Sequence, residues 1–408
     1  FKHEIEHFYK SLSGDNAGKK IIPNVSGDAK TWVETIINNG IELRASDIHI
    51  ERQEEGLRVR YRVDGMMTGS QVFPMTDDEV ANIYVRLKII GNMDISEKRR
   101  SQDGRIDNYE YNNNKYSLRV STVNTIQGEK VVMRIFSESQ DIEDFDELGF
   151  NEEQKESIMR MINKPNGIIY LAGATGSGKT TTLYTMINQL DKDNLNIYTI
   201  ENPVEKNIEG VNQVQIDEAS GNTYPSVLKT LLRQDPDIMV VGQIREAETA
   251  RLAVQASLTG HLVMTTIHAN NAVESINRLI NMGVESYLIG ASSVGFISQR
   301  LVRVLCPHCK IKVDEIPEHE KMWINETLED FNYEECKANG QHLYEAVGCK
   351  KCVNGYKGRI AVVEIIEVDT ELKNLISKKA DIKEIRDYLN SIGYKEMKHD
   401  GINKALKG

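Results

Sequence analysis

The sequence predicts an α/β protein: a twisted, mainly parallel sheet covered by helices, preceded by a smaller α+β domain. Three observations carry this. From residue 148 onward, helix-like and strand-like segments alternate, as they do when parallel strands are joined by crossover helices. Earlier in the chain, residues 57–63 and 116–123 alternate apolar and polar side chains, the period-two mark of half-buried strands. Residues 173–180 read G-x-x-x-x-G-K-T directly after an apolar run at 167–172, which places a strand, a glycine-rich loop and a helix in that order.

Residues 1–27 are polar and broken by Gly14, Gly18, Pro23 and Gly27, so a linker or tail is expected there. The chain opens at Phe1 without an initiator Met or a secretory pattern, which suggests a fragment with an upstream domain missing. An α+β domain is expected at 28–137, with a helix at 77–91 carried by Val80, Ile83, Tyr84, Leu87 and Ile90. The acidic run 138–147 reads as a solvated hinge. The main domain then takes 148–408. Its helices are expected near 151–163, 179–190, 224–234, 246–257 and 271–281, and its strands at 167–172, 195–200, 211–216, 237–242 and 261–267. A cysteine-bearing subdomain at about 303–358, a β-like run at 359–366 and a helical part at about 367–408 complete it.

At 408 residues the chain exceeds the ~250–300 residues of one core, so two or three domains are expected. Apolar residues make up 40% and charged residues 27%, and no stretch approaches the ~18 apolar residues of a membrane span, so the protein reads as soluble or membrane-peripheral. Lys plus Arg number 50 against 61 Asp plus Glu, a net charge of −11. That balance disfavours duplex DNA as the main ligand, because cation–phosphate contacts supply most nonspecific affinity.

The loop carries the sharpest chemistry. Gly173, Ala174, Thr175, Gly176, Ser177 and Gly178 let successive backbone N–H groups converge on phosphate oxygens. Lys179 places a cation between β and γ phosphates, and Thr180 offers its hydroxyl to Mg²⁺. Thr181 continues into a helix whose N-terminus adds partial positive charge. The plain alternative is a glycine-rich turn with a surface lysine. ATP hydrolysis also needs a carboxylate near the metal and a group that orients or deprotonates water. Two places are candidates: the position beyond the strand at 238–241 where P-loop enzymes of this arrangement put an acid, which here is Gln243, and Glu201 with Glu205 on the turn 199–205.

Four of the five cysteines form two C-x-x-C pairs, Cys306 with Cys309 and Cys349 with Cys352. Without a secretion signal, such knuckles favour four thiolates around Zn²⁺ over disulfides; a lost metal or a redox pair is the other reading. Residues 310–348 between the pairs exceed ordinary ribbon spacing, so they form a substantial insertion. Cys336 reads as an ordinary free thiol.

Taken together, several motifs resemble one family, the secretion ATPases that drive type IV pilus assembly and type II secretion. They are Arg44-Ala45-Ser46-Asp47-Ile48-His49-Ile50-Glu51, Gln102-Asp103-Gly104-Arg105-Ile106, the Walker A loop, residues 199–205 (similar to the family's Asp box), Leu232-Arg233-Gln234-Asp235-Pro236-Asp237, residues 259–268 (similar to its His box) and the paired cysteines. The resemblance runs over about residues 26–408, and the cysteines favour the assembly and secretion branch. It implies a RecA-like P-loop ATPase domain after a PAS-like α+β domain, with ATP, Mg²⁺ and Zn²⁺ as cofactors. It implies a homo-hexameric ring, cytoplasmic and peripheral at the inner face of the cell membrane. There it would act on an inner-membrane platform protein, with no membrane span of its own and no direct nucleic acid.

The resemblance also implies roles: Glu201 as general base with Glu205 assisting, His268 sensing the γ-phosphate, and His261 relaying that state across a subunit boundary. Arg105, Arg119 and Arg134 would reach phosphates from the first domain, Arg105 after an Asp103-Gly104 turn. Two departures stand out: Gln243 where the family has glutamate, and Glu201-Asn202 where it has Glu-Asp. Glutamine is nearly isosteric but neutral, so the expectation is an engineered chain that binds ATP and Mg²⁺ with impaired hydrolysis. The alternatives are a naturally non-hydrolysing subunit and a DNA translocase.

Overall fold

The computed structural model describes residues 27–137, 144–328 and 331–408. The chain divides into two compact units, residues 1–140 and 141–408. The expected tail at 1–27 lies almost wholly outside the described residues, as does the 138–143 part of the expected hinge. The described remainder of that run enters a short helix, Phe145–Leu148, whose Phe145 and Leu148 are buried beside Phe150 in the second unit's core. Apolar side chains there outweigh the acidic neighbours.

The first unit is a six-stranded sheet in the order β3-β2-β1-β6-β5-β4. Its strands are β1 (Ala45–Gln53), β2 (Gly56–Val63), β3 (Met66–Pro74), β4 (Gln102–Tyr111), β5 (Asn114–Thr125) and β6 (Gly128–Ser137), all paired antiparallel. Alternation sends Ile48, Ile50, Val59, Tyr61, Leu118, Val120, Val131 and Met133 to one buried face. Helices Ala29–Glu42 and Asp77–Ile90 cover that face, and the Tyr61 hydroxyl donates to Ile36 O at 3.0 Å. The second helix starts on a Thr76–Glu79 capping box.

Only β2 and β5 were expected as strands. Arg105 does not follow a turn: Asp103 and Gly104 lie inside β4. Gly104 is glycine because its backbone runs against Gly91, where a Cβ would meet Gly91 O at 2.2 Å, and the Arg105 N–H donates to that same carbonyl at 3.0 Å.

The second unit is built on a seven-stranded sheet in the order β15-β12-β7-β11-β10-β8-β9. These strands are β7 (Gly167–Ala172), β8 (Ile197–Glu201), β9 (Asn212–Gln215), β10 (Ile238–Val241), β11 (Leu262–Ile267), β12 (Ser293–Leu305) and β15 (Tyr356–Glu367). From β12 to β9 neighbours run parallel, and β15 closes the far edge antiparallel on β12. Each central strand feeds two cores by alternation: Ile168 and Tyr170 enter one, Ile169 and Leu171 the other. Helices therefore sandwich the sheet, as the apolar runs demand.

Expected and observed elements agree to within a few residues, except that the helices Phe145–Leu148 and Ser286–Ser292 and the strand β12 were not read at all. Between β12 and β15 sits an excursion holding the small pair β13 (Ile311–Lys312) and β14 (Tyr344–Glu345) and helices Glu318–Asn325 and Tyr333–Ala338. Helices Thr370–Ser377, Ile382–Ser391 and Met397–Lys407 form the C-terminal part.

Candidate active site and metal centre

Parallel strands end together, so a parallel sheet gathers its functional groups along its carboxyl edge. Here Ala172 pairs with Ile267, and Val241 with both Thr265 and Ile200. Four strand ends thereby bring Gly173, His268, Gly242-Gln243 and Glu201 to one edge.

The nest follows β7. Gly173, Gly176 and Gly178 all have positive φ, +153°, +77° and +86°, a conformation open to glycine. Gly178 caps helix Lys179–Asn188 with no side chain of its own, leaving the N-terminal amides to an anion. Ala174, Thr175 and Gly176 are exposed and Ser177 is buried. The Lys179 ammonium donates to Gly173 O at 2.8 Å and Ala174 O at 2.9 Å, folded back over the loop. Burial pushes its pKa down, so an anion that compensates its charge is favoured. Thr180 and Thr181 occupy the first turn, half-buried.

Glu201 closes β8 with a buried carboxylate. Its Oε1 accepts from Thr199 Oγ1 at 2.6 Å and Gln213 Nε2 at 3.1 Å, and its Oε2 accepts from the Tyr184 hydroxyl. Burial and this carboxylate raise the Tyr184 pKa, which keeps the phenol a donor. Glu205 is exposed on the following loop. The Gly242 N–H donates to Ile200 O at 2.8 Å, and a Cβ on Gly242 would meet Glu201 Cγ at 3.6 Å. Gln243, half-buried, is thus one residue from contact with the Glu201 strand end.

The two histidines part company. His268 is exposed just past β11; burial, then the Lys179, Arg245 and Arg278 charges, lower its pKa, so it is neutral near pH 7. His261 precedes β11 at the opposite edge, where its carbonyl accepts from Gly167 N at 3.1 Å and its Nδ1 sits 2.9 Å from Ala256 O. The six residues of β11 set it about 20 Å from the cradle edge.

In the first unit, pairing aligns the arginines. Arg105 stands opposite Arg119, Arg119 opposite Arg134, Arg134 opposite Asp47, and Asp47 opposite Arg62. This cross-strand row lies on the face away from the helices. Arg134 Nε donates to buried Asp47 Oδ1 at 2.9 Å, Arg105 pairs with Asp107 at 2.6 Å, and Arg119 lies over the Phe136 ring at 5.3 Å. Like charges directly opposite one another repel, and Asp47 and Asp107 offset that repulsion at Arg134 and Arg105.

Cys306, Cys309, Cys349 and Cys352 place their Sγ atoms within 4.8 Å of one another. Cys306–Cys349 and Cys309–Cys352 are 3.9 and 3.7 Å apart. Two thiolates on one tetrahedral zinc, at about 2.3 Å each, stand about 3.8 Å apart, and a disulfide would need about 2.05 Å. The Gly348 and Cys349 N–H groups donate to Cys309 Sγ and Cys352 Sγ at 3.3 and 3.2 Å, the outer hydrogen bonds that steady such ligands. The four thiols fit a zinc ion. Cys336 is packed against a separate small core.

Tyr184, Thr199, Gln213 and Gln299 escaped sequence reasoning. Gln299, fully buried on β12, accepts from Thr182 Oγ1 at 2.7 Å and donates to Ser177 O at 2.9 Å. For Thr199 and Gln299 a polar position within a buried strand was the only signal; Tyr184, on the helix after the nest, and Gln213, on the edge strand β9, carried none.

The family profile described as Type II/IV secretion system protein matches residues 26–408. The chain belongs to this family. The type IV pilus assembly ATPase PilB of Acinetobacter baylyi is 40% identical over 377 residues, which is 92% of this chain and 64% of that protein. The type II secretion system ATPase E of Vibrio cholerae is 38% identical over 377 residues, 92% of this chain and 72% of that protein. The chain thus spans just under two thirds of the Acinetobacter relative. Among solved structures, the Legionella pneumophila ATPase DotB superposes with a TM-score of 0.67 at 18% identity, covering 95% of this chain and 96% of that one. The pilus retraction motor PilT with bound ADP gives 0.58 at 22% identity, covering 91% and 92%. At these identities the structural likeness speaks for the fold of this family member. Among the described residues, no helix is long and apolar enough to cross a membrane.

Proposed function

We propose that this chain is the motor portion of a hexameric ATPase that powers assembly of type IV pili or of a type II secretion pseudopilus. The observation that carries the reading is the glycine nest with its folded-back Lys179, set beside the Glu201 network on one sheet edge. Membership of the family supports it. The backbone N–H groups of residues 173–178 and Lys179 hold the ATP phosphates, and Thr180 would hold Mg²⁺, which supplies positive charge against the phosphates. An ionised carboxylate has about four acceptor sites, and Glu201 has three donors upon it. One site remains for the attacking water, oriented by the other three; Glu205 assists from the loop.

His268 meets the γ-phosphate, and His261 relays the state at the far edge of β11. The Arg105, Arg119 and Arg134 row closes on phosphate from the first domain, its fixed guanidinium forks neutralising charge as the phosphoryl group transfers. The hinge expected at 138–147 shrinks to the residues ahead of Phe145, since Phe145 and Leu148 belong to the second unit's core. Closure and release around the ring drive an inner-membrane platform protein, with the ring docked at the cytoplasmic face. Cys306, Cys309, Cys349 and Cys352 would bind Zn²⁺, which supplies a structural cross-link.

Gln243 lacks the negative charge expected beside the metal, so turnover is impaired. Gln243→Glu is expected to raise Mg²⁺-dependent phosphate release at least about tenfold, and light scattering to show a hexamer with ATP. No turnover in Gln243→Glu, with no nucleotide retained by the parent chain, would overturn the reading; turnover stimulated by duplex DNA would favour a translocase.

A further inference from the structure

The nest works only if its amides face the phosphates, and something must fix each peptide plane. At the Ser177-Gly178 link, Gly178 has φ +86°. Glycine tolerates either sign of φ, so a rotated peptide costs little there. Within a trans peptide the C=O and the next N–H point in opposite directions. A group that anchors Ser177 O inward therefore aims the Gly178 N–H outward.

Gln299 is that group. β12 runs parallel to β7, with Ser298 opposite Ala172, so Gln299 arrives beneath the loop on its core side. Its Nε2 donates to Ser177 O at 2.9 Å and its Oε1 accepts from Thr182 Oγ1 at 2.7 Å. Gln299 and Thr182 are fully buried, so no water competes for either bond. Packing is tight: a Cβ on Gly173 would meet Gln299 O at 2.6 Å, and one on Gly178 would meet Gln299 Nε2 at 2.8 Å. Both glycines are spared a Cβ where Gln299 approaches. A neutral amide suits the post, because one end must donate to a carbonyl and the other accept from a hydroxyl.

We infer that Gln299 is a positioning residue that holds the Ser177-Gly178 peptide in its phosphate-binding orientation and ties it to the first turn of the following helix. This rests on the nest binding nucleotide phosphates, as proposed above. Gln299 touches neither substrate nor metal; it acts through the backbone.

The test is calorimetry on the whole chain with ADP, and with adenosine, which lacks phosphates, as competitor. Gln299→Met keeps the volume and removes both bonds. It is expected to weaken ADP at least about tenfold, the scale of one hydrogen bond to a charged group, and to leave adenosine unchanged. Thr182→Val, which cuts only the helix tie, is expected to stay within about threefold. ADP binding in Gln299→Met within about twofold of the parent, or equal weakening of ADP and adenosine, would overturn the inference, since a mere core residue cannot single out phosphate. Should Gln299→Met not fold, hydrogen exchange on the parent chain decides. ADP is expected to protect the Gly178 amide, and unaltered exchange there would overturn the inference. A parent chain that binds no ADP instead overturns the nucleotide reading itself.

Discussion

The two sheets bury apolar surface in opposite ways. In the six-stranded antiparallel sheet, one face is apolar beneath two helices and the other shows Arg62, Asp47, Arg134, Arg119 and Arg105 in a row. In the seven-stranded sheet, β7, β10 and β11 are buried at every position. An open face can display side chains in register, as the aligned arginines do. A sheet covered on both sides has only its edge to offer, so the proposed site draws on loop amides, Lys179 and the strand-end carboxylate of Glu201. Losing a residue should therefore hurt the two sheets differently.

The sharpest contrast is expected at the edge. Lys179→Ala should cut turnover about 10³-fold, the upper scale for removing one preorganised donor, with an unchanged melting temperature; a cooperative loss of fold would mean that the lysine braces the loop instead. Next comes burial. Met264→Ala, in fully buried β11, should cost about 2–5 kcal/mol in denaturant titration, whereas Ser121→Ala on the open face of β5 should stay within about 0.5 kcal/mol. Equal costs would break the comparison.

The open face should instead show itself in kinetics. Arg119→Ala is expected to lower kcat about 10²-fold while ADP affinity holds. If ADP affinity falls in step, the row binds ground-state nucleotide rather than the reacting phosphoryl group.

The smallest effect is a pH dependence. His268 has its pKa lowered by burial and by the Lys179, Arg245 and Arg278 charges. A bound triphosphate adds negative charge and raises that pKa, so binding takes up a proton. Nucleotide affinity should therefore strengthen as pH falls from about 7.5 to 6, by a few-fold, and be flatter in His268→Asn. Without nucleotide the sign reverses for stability: a His with a depressed folded pKa loses stability as pH drops below the unfolded value. Isothermal titration and thermal melts across that range measure the two separately.

Sequence reasoning reached the parallel sheet because helix-like and strand-like segments alternate, with β7 and β10 as short apolar runs, and it reached the nest and the thiol cluster because spacing alone states their geometry. It missed β12 for a physical reason. Ser298, Gln299, Arg300 and Arg303 interrupt that strand, because its first half lies inside the sheet and its second half forms an arm with β15 that leaves it. No single period describes both. The arginine row was half visible: alternation places Arg119 on a polar face, but its alignment with Asp47 is set by pairing of β1 with β6 across 87 residues. Gln299 was invisible because its partners lie 117 and 122 residues away and a strand glutamine carries no pattern. Glu201 was found as a carboxylate, but Tyr184, Thr199 and Gln213, which aim it, were not.

One feature of the far edge bears on how such chains change over time. Leu305 and Tyr356 are ladder partners, and the Cys306 N–H donates to Gly355 O at 2.8 Å. The polypeptide thus departs from the sheet and rejoins it through a single doorway, and whatever is housed beyond it can be exchanged without disturbing the strands. The exception is the terminal helix, whose Ile402 and Leu406 fill the annex's small core with Ile316, Ile324 and Tyr333. A descendant that discarded the annex would have to recolour that helix as well, exchanging two aliphatic side chains for polar ones.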